Sequence, residues 1–223
     1  AREAQATAML QSPHTIDVYD FGVADDGAFY MVMELLEGRD LHRLVVEEGP
    51  LSPERAVFLL AQVCHSLEEA HARGLVHRDI KPANLFVCRR GLDVDFVKVL
   101  DFGLVKLQDG AERTQLTMDD AISGTPAYIA PEMATGGPVD HRADIYAIGC
   151  VAFYLLTGSV VFAGETPMAM VFAHAQREAP SPLSLRPDLP AGLDALILAC
   201  LRKDPAARPQ SCGALRAELL ALT

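Results

Sequence analysis

The sequence predicts an α+β fold in which a small amount of β-structure precedes a mostly helical body. Three observations predict it. Strand-like runs with hairpin punctuation sit near the start, at residues 15–21 and 28–33. After Met33 the apolar residues recur mainly with helical period. One stretch, residues 144–156, is apolar on nearly every side, which predicts a central helix buried all round.

The elements follow in order. Residues 1–10 read as the end of a helix, since Arg2, Glu3, Ala4, Gln5 and Ala6 are all fair helix formers. Asp25-Asp26-Gly27 is a hairpin signal between the first two strands. Asp40 can cap a short helix through Glu48, which Gly49-Pro50 ends. Ser52-Pro53-Glu54 starts a longer one, with a capping hydroxyl, proline at the first position and an acid in the first turn. Val57, Leu60, Ala61, Cys64 and Leu67 form its apolar face, and it ends near Gly74. Short strands are expected at 85–87 and 97–100, around an Arg89-Arg90-Gly91 turn. Residues 101–131 show no period, and a stretch that long without an element usually has a function. Gly158 ends the buried helix. Helices at 167–177, 193–201 and 211–220 follow, joined by proline-rich segments.

Composition excludes several functions. The chain has 223 residues, half of them apolar, which suits one domain with a real core. A formal charge of −11 disfavours phosphate backbones and anionic lipid, so neither a nucleic-acid partner nor membrane contact by this segment is expected. The five cysteines are odd in number and form no CxxC pair, which argues against a metal site or a disulfide framework and for a reducing cytoplasm. No signal peptide is legible at the N-terminus. The chain opens in the middle of a helix and without methionine, which predicts that it belongs to a longer protein.

The chemistry-bearing residues are concentrated. His77-Arg78-Asp79-Ile80-Lys81-Pro82-Ala83-Asn84 is followed by Asp101-Phe102-Gly103. Phosphoryl transfer needs a carboxylate beside the acceptor hydroxyl, a cation facing the γ-phosphate, and oxygen ligands for Mg²⁺. Asp79, Lys81, Asn84 and Asp101 supply that set. The first three share one loop, and Asp101 ends the next strand, where hairpin geometry can bring it beside Asn84.

These motifs resemble the H-R-D-x-x-x-x-N and D-F-G elements of eukaryotic-type (Hanks-type) serine/threonine protein kinases, and Ala130-Pro131-Glu132 falls where that family ends its activation segment. The resemblance implies a protein-kinase-like fold. Residues 1–33 would be a remnant of the small lobe, 34–40 the hinge and 41–223 the large lobe. It implies ATP, with Mg²⁺ or Mn²⁺, and protein substrates carrying Ser or Thr acceptors. Asp79 looks like the catalytic base and Lys81 like the γ-phosphate contact. Thr125 resembles the threonine that bridges the two, and Asn84 and Asp101 resemble the metal ligands. Asp144 looks like the acid that anchors the catalytic loop. Glu132 and Arg208 match a buried structural ion pair.

The hinge resemblance rests on Met33-Glu34-Leu35-Leu36-Glu37-Gly38. Met33 would be the gatekeeper, and backbone groups of Glu34 and Leu36 would bond the adenine edge. Asp40 would meet the ribose and Phe86 would floor the base. Met33 also reads as a core methionine, Asp40 as a helix cap, and the Glu34 and Glu37 side chains as solvated. His77 reads as a packed structural histidine and the other histidines as fillers.

The family's glycine-rich loop is absent, and none of the four lysines (Lys81, Lys98, Lys106 and Lys203) precedes the hinge. The strand lysine that would pair with Glu3 is therefore missing. The resemblance implies a kinase that lacks the first strands of its small lobe and, as this chain, transfers phosphate weakly or not at all. The alternative is a pseudokinase or scaffold. Arg78 implies activation-segment phosphorylation at Thr117 or Thr114, through self-association, with Lys106 as a second dock. The general style is bacterial, and bacterial members often continue into a membrane tether.

Overall fold

The structure, a computed structural model, describes residues 9–102 and 126–222. The expectations placed on Glu3, Lys106, Thr114, Thr117 and Thr125 lie outside the described residues.

β1 (Val18–Val23) and β2 (Phe29–Met33) form an antiparallel hairpin. Its turn is closed by the Ala24 N–H on the Ala28 carbonyl and by Asp26, which accepts the Ala28 N–H. A second antiparallel sheet has the order β3 (Gly38–Asp40), β4 (Leu85–Arg90), β5 (Asp93–Val99). β3 was not expected, because three residues reading Gly-Arg-Asp carry no strand signal. Gly38 is what permits it: a Cβ there would collide with the Val87 carbonyl oxygen. β5 starts four residues earlier than predicted, since exposed Asp93, Val94 and half-buried Asp95 obscure its pattern.

The body contains α1 (Leu41–Glu48), α2 (Pro53–Ala72), the short α3 (Pro131–Ala134), α4 (Arg142–Thr157), α5 (Pro167–Gln176), α6 (Ala191–Cys200) and α7 (Cys212–Leu220). The caps are those expected: Asp40 accepts the Arg43 N–H at 2.8 Å and Ser52 the Arg55 N–H at 3.3 Å. α4 is buried from Ala143 through Leu156 and stops at Gly158, whose φ of 71° suits a residue without a Cβ. Leu59, Leu60 and Leu67 of α2, Phe153 and Leu155 of α4, and Leu215 of α7 belong to one continuous core. Burial of each such side chain contributes about 1.5–3 kcal/mol. Among the described residues no helix is long and apolar enough to cross a membrane.

The segment leading into β1 is fastened to this body. Gln11 and Ser12 donate backbone N–H groups to the Glu69 carboxylate, and Thr15 Oγ1 shares a hydrogen with Ser66 Oγ at 2.7 Å. Ile16 and Val99 lie on neighbouring backbones, with the Ile16 N–H on the Val99 carbonyl and the Val99 N–H on that of His14.

Candidate active site

The catalytic-loop residues lie between α2 and β4, and a single carboxylate from the buried helix holds their backbone. Asp144 Oδ2 accepts the His77 N–H and Oδ1 the Arg78 N–H, both at 2.8 Å. His71, in the last turn of α2, donates from Nε2 to Asp144 Oδ2 at 2.8 Å. Burial pushes the Asp144 carboxyl up. The His71 hydrogen bond, the two imidazoles and the His77 N–H outweigh it and hold the group below the ordinary carboxylate range. With this hold, Arg78 sits at φ 66°, a conformation that a non-glycine residue adopts only when its surroundings impose it.

His77 connects the loop to β5. Its Nε2 donates to the Leu100 carbonyl at 2.8 Å, its Nδ1 accepts the Asp79 N–H at 3.3 Å, and its ring packs 4.7 Å from that of Phe102. The histidine is 1% exposed. The reading of it as structural agrees with these contacts.

Asp79 Oδ2 accepts from Lys81 Nζ at 2.8 Å and from Asn84 Nδ2 at 2.9 Å. Asn84 Nδ2 donates a second time, to the Asp79 carbonyl at 2.8 Å. Asn84 is thereby oriented with Oδ1 unpartnered among the described residues. The Leu100 N–H donates to the Asn84 carbonyl, so Asp101 follows directly on a residue tied to Asn84. Asp101 is exposed and has φ 58°. An oriented amide oxygen and an exposed carboxylate at adjoining positions are donors suited to a hard divalent cation that takes its remaining ligands from phosphate.

The hinge residues leave β2 toward β3. Met33 is partly exposed and Leu35 is fully open to solvent. Asp40, Phe86 and Lys98 stand directly opposite one another in the register of β3, β4 and β5, and so share one face of the sheet. Glu34 corrects an expectation. Its side chain is not solvated but pairs with buried Lys98 at 2.5 Å, because an ammonium held out of water needs a close counter-charge. Asp40 is a cap, as one reading had it, but only Oδ1 serves the cap.

Glu132 and Arg208 meet through two bonds, Nη1 to Oε1 at 2.8 Å and Nη2 to Oε2 at 2.7 Å, with both side chains buried. Arg208 also donates to the carbonyls of Arg142, Arg202 and Lys203.

Two residues escaped sequence reasoning. His71 reads as filler in the sequence, yet it falls on the apolar stripe of α2 at the helical spacing set by Cys64 and Leu67. Lys98 carries no sequence signal of its role beyond being a lone cation between Val97 and Val99, both fully buried.

Residues 1–220 match the family described as Protein kinase domain. The chain belongs to that family. It is 42% identical over 224 residues to the serine/threonine-protein kinase pkn3 of Myxococcus xanthus, an alignment that covers 99% of this chain and 41% of that protein. It is 40% identical over 224 residues to the serine/threonine-protein kinase PknB of Mycobacterium tuberculosis, covering 98% of this chain and 35% of PknB. Among solved structures, the Mycobacterium tuberculosis PknI kinase domain superposes with a TM-score of 0.77 at 28% identity, over 100% of this chain and 77% of that one. The kinase therefore spans well under half the length of these curated relatives. The α+β kinase fold and the bacterial serine/threonine-kinase likeness expected from its motifs both agree with these matches.

Proposed function

We propose that this kinase domain transfers the γ-phosphoryl group of ATP to serine and threonine hydroxyls of proteins. The observation that carries the reading is the Asp79 carboxylate held by Lys81 and Asn84 within hydrogen-bond distance. A fixed carboxylate accepts the proton of an acceptor hydroxyl as its oxygen attacks the γ-phosphorus in line; the bond from that phosphorus to the β,γ-bridging oxygen breaks, ADP leaves, and the proton moves to Asp79. Lys81, 2.8 Å from Asp79, faces the γ-phosphate and offsets its charge. Asn84 Oδ1 and the Asp101 carboxylate would hold Mg²⁺ or Mn²⁺, which when bound neutralises charge developing on the phosphates.

In the same reading the Glu34 carbonyl and the Leu36 N–H take the adenine edge beside Met33, over Phe86. Asp40 Oδ2, unpartnered among the described residues, meets the ribose while Oδ1 keeps the cap. Thr125 bridges Asp79 and Lys81, and 124–128 meets the residues flanking the acceptor. The lobes divide at 1–33, 34–40 and 41–223. The whole protein works in the cytoplasm or tethered to a membrane from that side. Thr117 or Thr114 is phosphorylated between copies of the kinase, and the support for a dock is Arg78, whose Nε is buried without a partner among the described residues. Mass spectrometry of active full-length protein that found both threonines unmodified would remove that part.

The test is radiolabelled-ATP transfer to a generic protein substrate. The full-length protein should be active and Asp79→Asn should lose about 10²–10⁴-fold. The 223-residue chain alone should transfer weakly, since it carries no lysine before the hinge and no glycine-rich loop. Wild-type turnover by Asp79→Asn would overturn the mechanism. A full-length protein that binds nucleotide and partners without transfer would favour the pseudokinase or scaffold reading.

A further inference from the structure

Lys98 is 3% exposed, next to the last residue of β5. A buried ammonium costs several kcal/mol unless it is fully paired, and an apolar residue would pack the same space more cheaply. Its partners come from two places, the segment leading into β1 and the first hinge residue. Nζ lies 2.5 Å from Glu34 Oε1 and 3.5 Å from Asp17 Oδ2, and it donates to the Thr15 carbonyl at 3.0 Å. Glu34 Oε1 also accepts the Asp17 N–H at 2.9 Å, and the Glu34 N–H donates to the Asp17 carbonyl at 3.0 Å. The first hinge residue is thus held by side chain and backbone together.

What lies along the chain from Lys98 gives this bridge its meaning. Two residues on, Leu100 donates its N–H to Asn84 and accepts from His77, and Asp101 follows. Across the sheet, Lys98 faces Phe86, which in turn faces Asp40. The end of β5 therefore leads, within three residues, from the residue gripping the hinge to the residue placed for metal. A nucleotide bound between them needs that separation fixed, because an error of about 1 Å in a bound geometry can cost about 10²-fold in rate or binding.

We infer that Lys98 is a positioning residue for the adenine end of the nucleotide site, locking the Glu34 backbone to the strand that delivers Asp101. The inference rests on the reading above that Glu34 and Leu36 bond adenine. It predicts that loss of the bridge weakens use of ATP more than it slows transfer at saturation.

The experiment uses the full-length kinase with Lys98→Met, Glu34→Gln, the double variant, and Leu36→Pro, which removes the hinge N–H. Steady-state KM for ATP and kcat are measured on the folded fraction, with inhibition by inorganic pyrophosphate, which has no adenine. Each single bridge variant should raise KM for ATP about 10-fold or more, leave kcat within about threefold, and leave pyrophosphate inhibition unchanged. The double variant should be no worse than the worse single, because both break one bridge. If Leu36→Pro leaves KM unchanged, the hinge reading fails and this inference falls with it. If Leu36→Pro raises KM while the bridge variants only lower the yield of folded enzyme, Lys98 is structural and the inference alone is overturned. Should Lys98→Met not fold, Glu34→Gln, which keeps the lysine and neutralises its partner, carries the same readout.

Discussion

The helical body and the β1–β2 hairpin sit side by side in one chain but differ in what covers them. Every residue of α4 from Ala143 to Leu156 is buried. In the hairpin, Tyr19 and Val23 are more than two-thirds exposed, and Phe29, Tyr30, Val32 and Met33 are each about two-fifths exposed or more. A two-stranded hairpin alone is marginal in water. This one is fixed at its base instead, by Asp17, Glu34 and Lys98 and by the 11–16 segment docked on α2. The difference teaches where the chemistry can be trusted to hold its shape. Asp79, Lys81 and Asn84 hang from the well-packed side through Asp144, while the adenine side depends on a few polar ties.

The comparison breaks most visibly in the body. Removing one partner of the Glu132–Arg208 pair, as in Arg208→Ala, leaves a buried charge unpaired and should cost about 3–5 kcal/mol in urea unfolding. Replacing both by apolar residues of similar volume should cost much less, because no charge is stranded. Equal losses in the single and double variants would show that the packing around the pair, and not its charge, supports the body.

A smaller effect is set by pH. His174 is fully buried, with Nδ1 against the Tyr146 hydroxyl at 2.8 Å. Burial, together with the charge of Lys203, pushes its pKa down to about 4 from 6.5. As the medium is acidified the unfolded chain takes up this proton first, and the folded one only near pH 4. Stability is therefore full above about pH 6.5, falls through the window down to about pH 4, and levels off below it. The loss assigned to this residue should be up to about 3 kcal/mol. The difference in pH slope between the parent and His174→Asn measures it, and parallel slopes would assign the acid sensitivity elsewhere.

How much of this was legible in the sequence follows from range. α2 and α4 were readable because cap, periodicity and stop signals lie within one helix. The catalytic set was readable because Asp79, Lys81 and Asn84 fall within six residues and bond one another. His71 and Lys98 were not, because their roles arise from partners far along the chain. His71 meets Asp144 across 73 positions, and Lys98 meets Thr15 across 83. A lone polar residue on an apolar stripe signals that a partner exists but does not name it. β3 escaped for another reason: its pairing depends on the space that Gly38 leaves beside Val87, which local propensity does not record.

The smallest expected effect is in the hairpin, and it bears most directly on the contrast. Val23→Thr and Val32→Thr keep the β-branched shape and so leave strand preference nearly unchanged. What they alter is the worth of burying those methyl groups. In the 223-residue chain Val23 is 68% and Val32 47% exposed, so each change should stay within about 0.5 kcal/mol by thermal or urea unfolding. The register puts Val23 and Val32 on opposite faces of the hairpin, so in the full-length protein each should cost about 1–2 kcal/mol only if further small-lobe structure covers its own face. A small effect in both would mean that the hairpin faces solvent in the whole protein and that its ties to Lys98 and α2 are its whole support. A large effect in the short chain would mean that the hairpin already buries these side chains, and the contrast with the body would collapse.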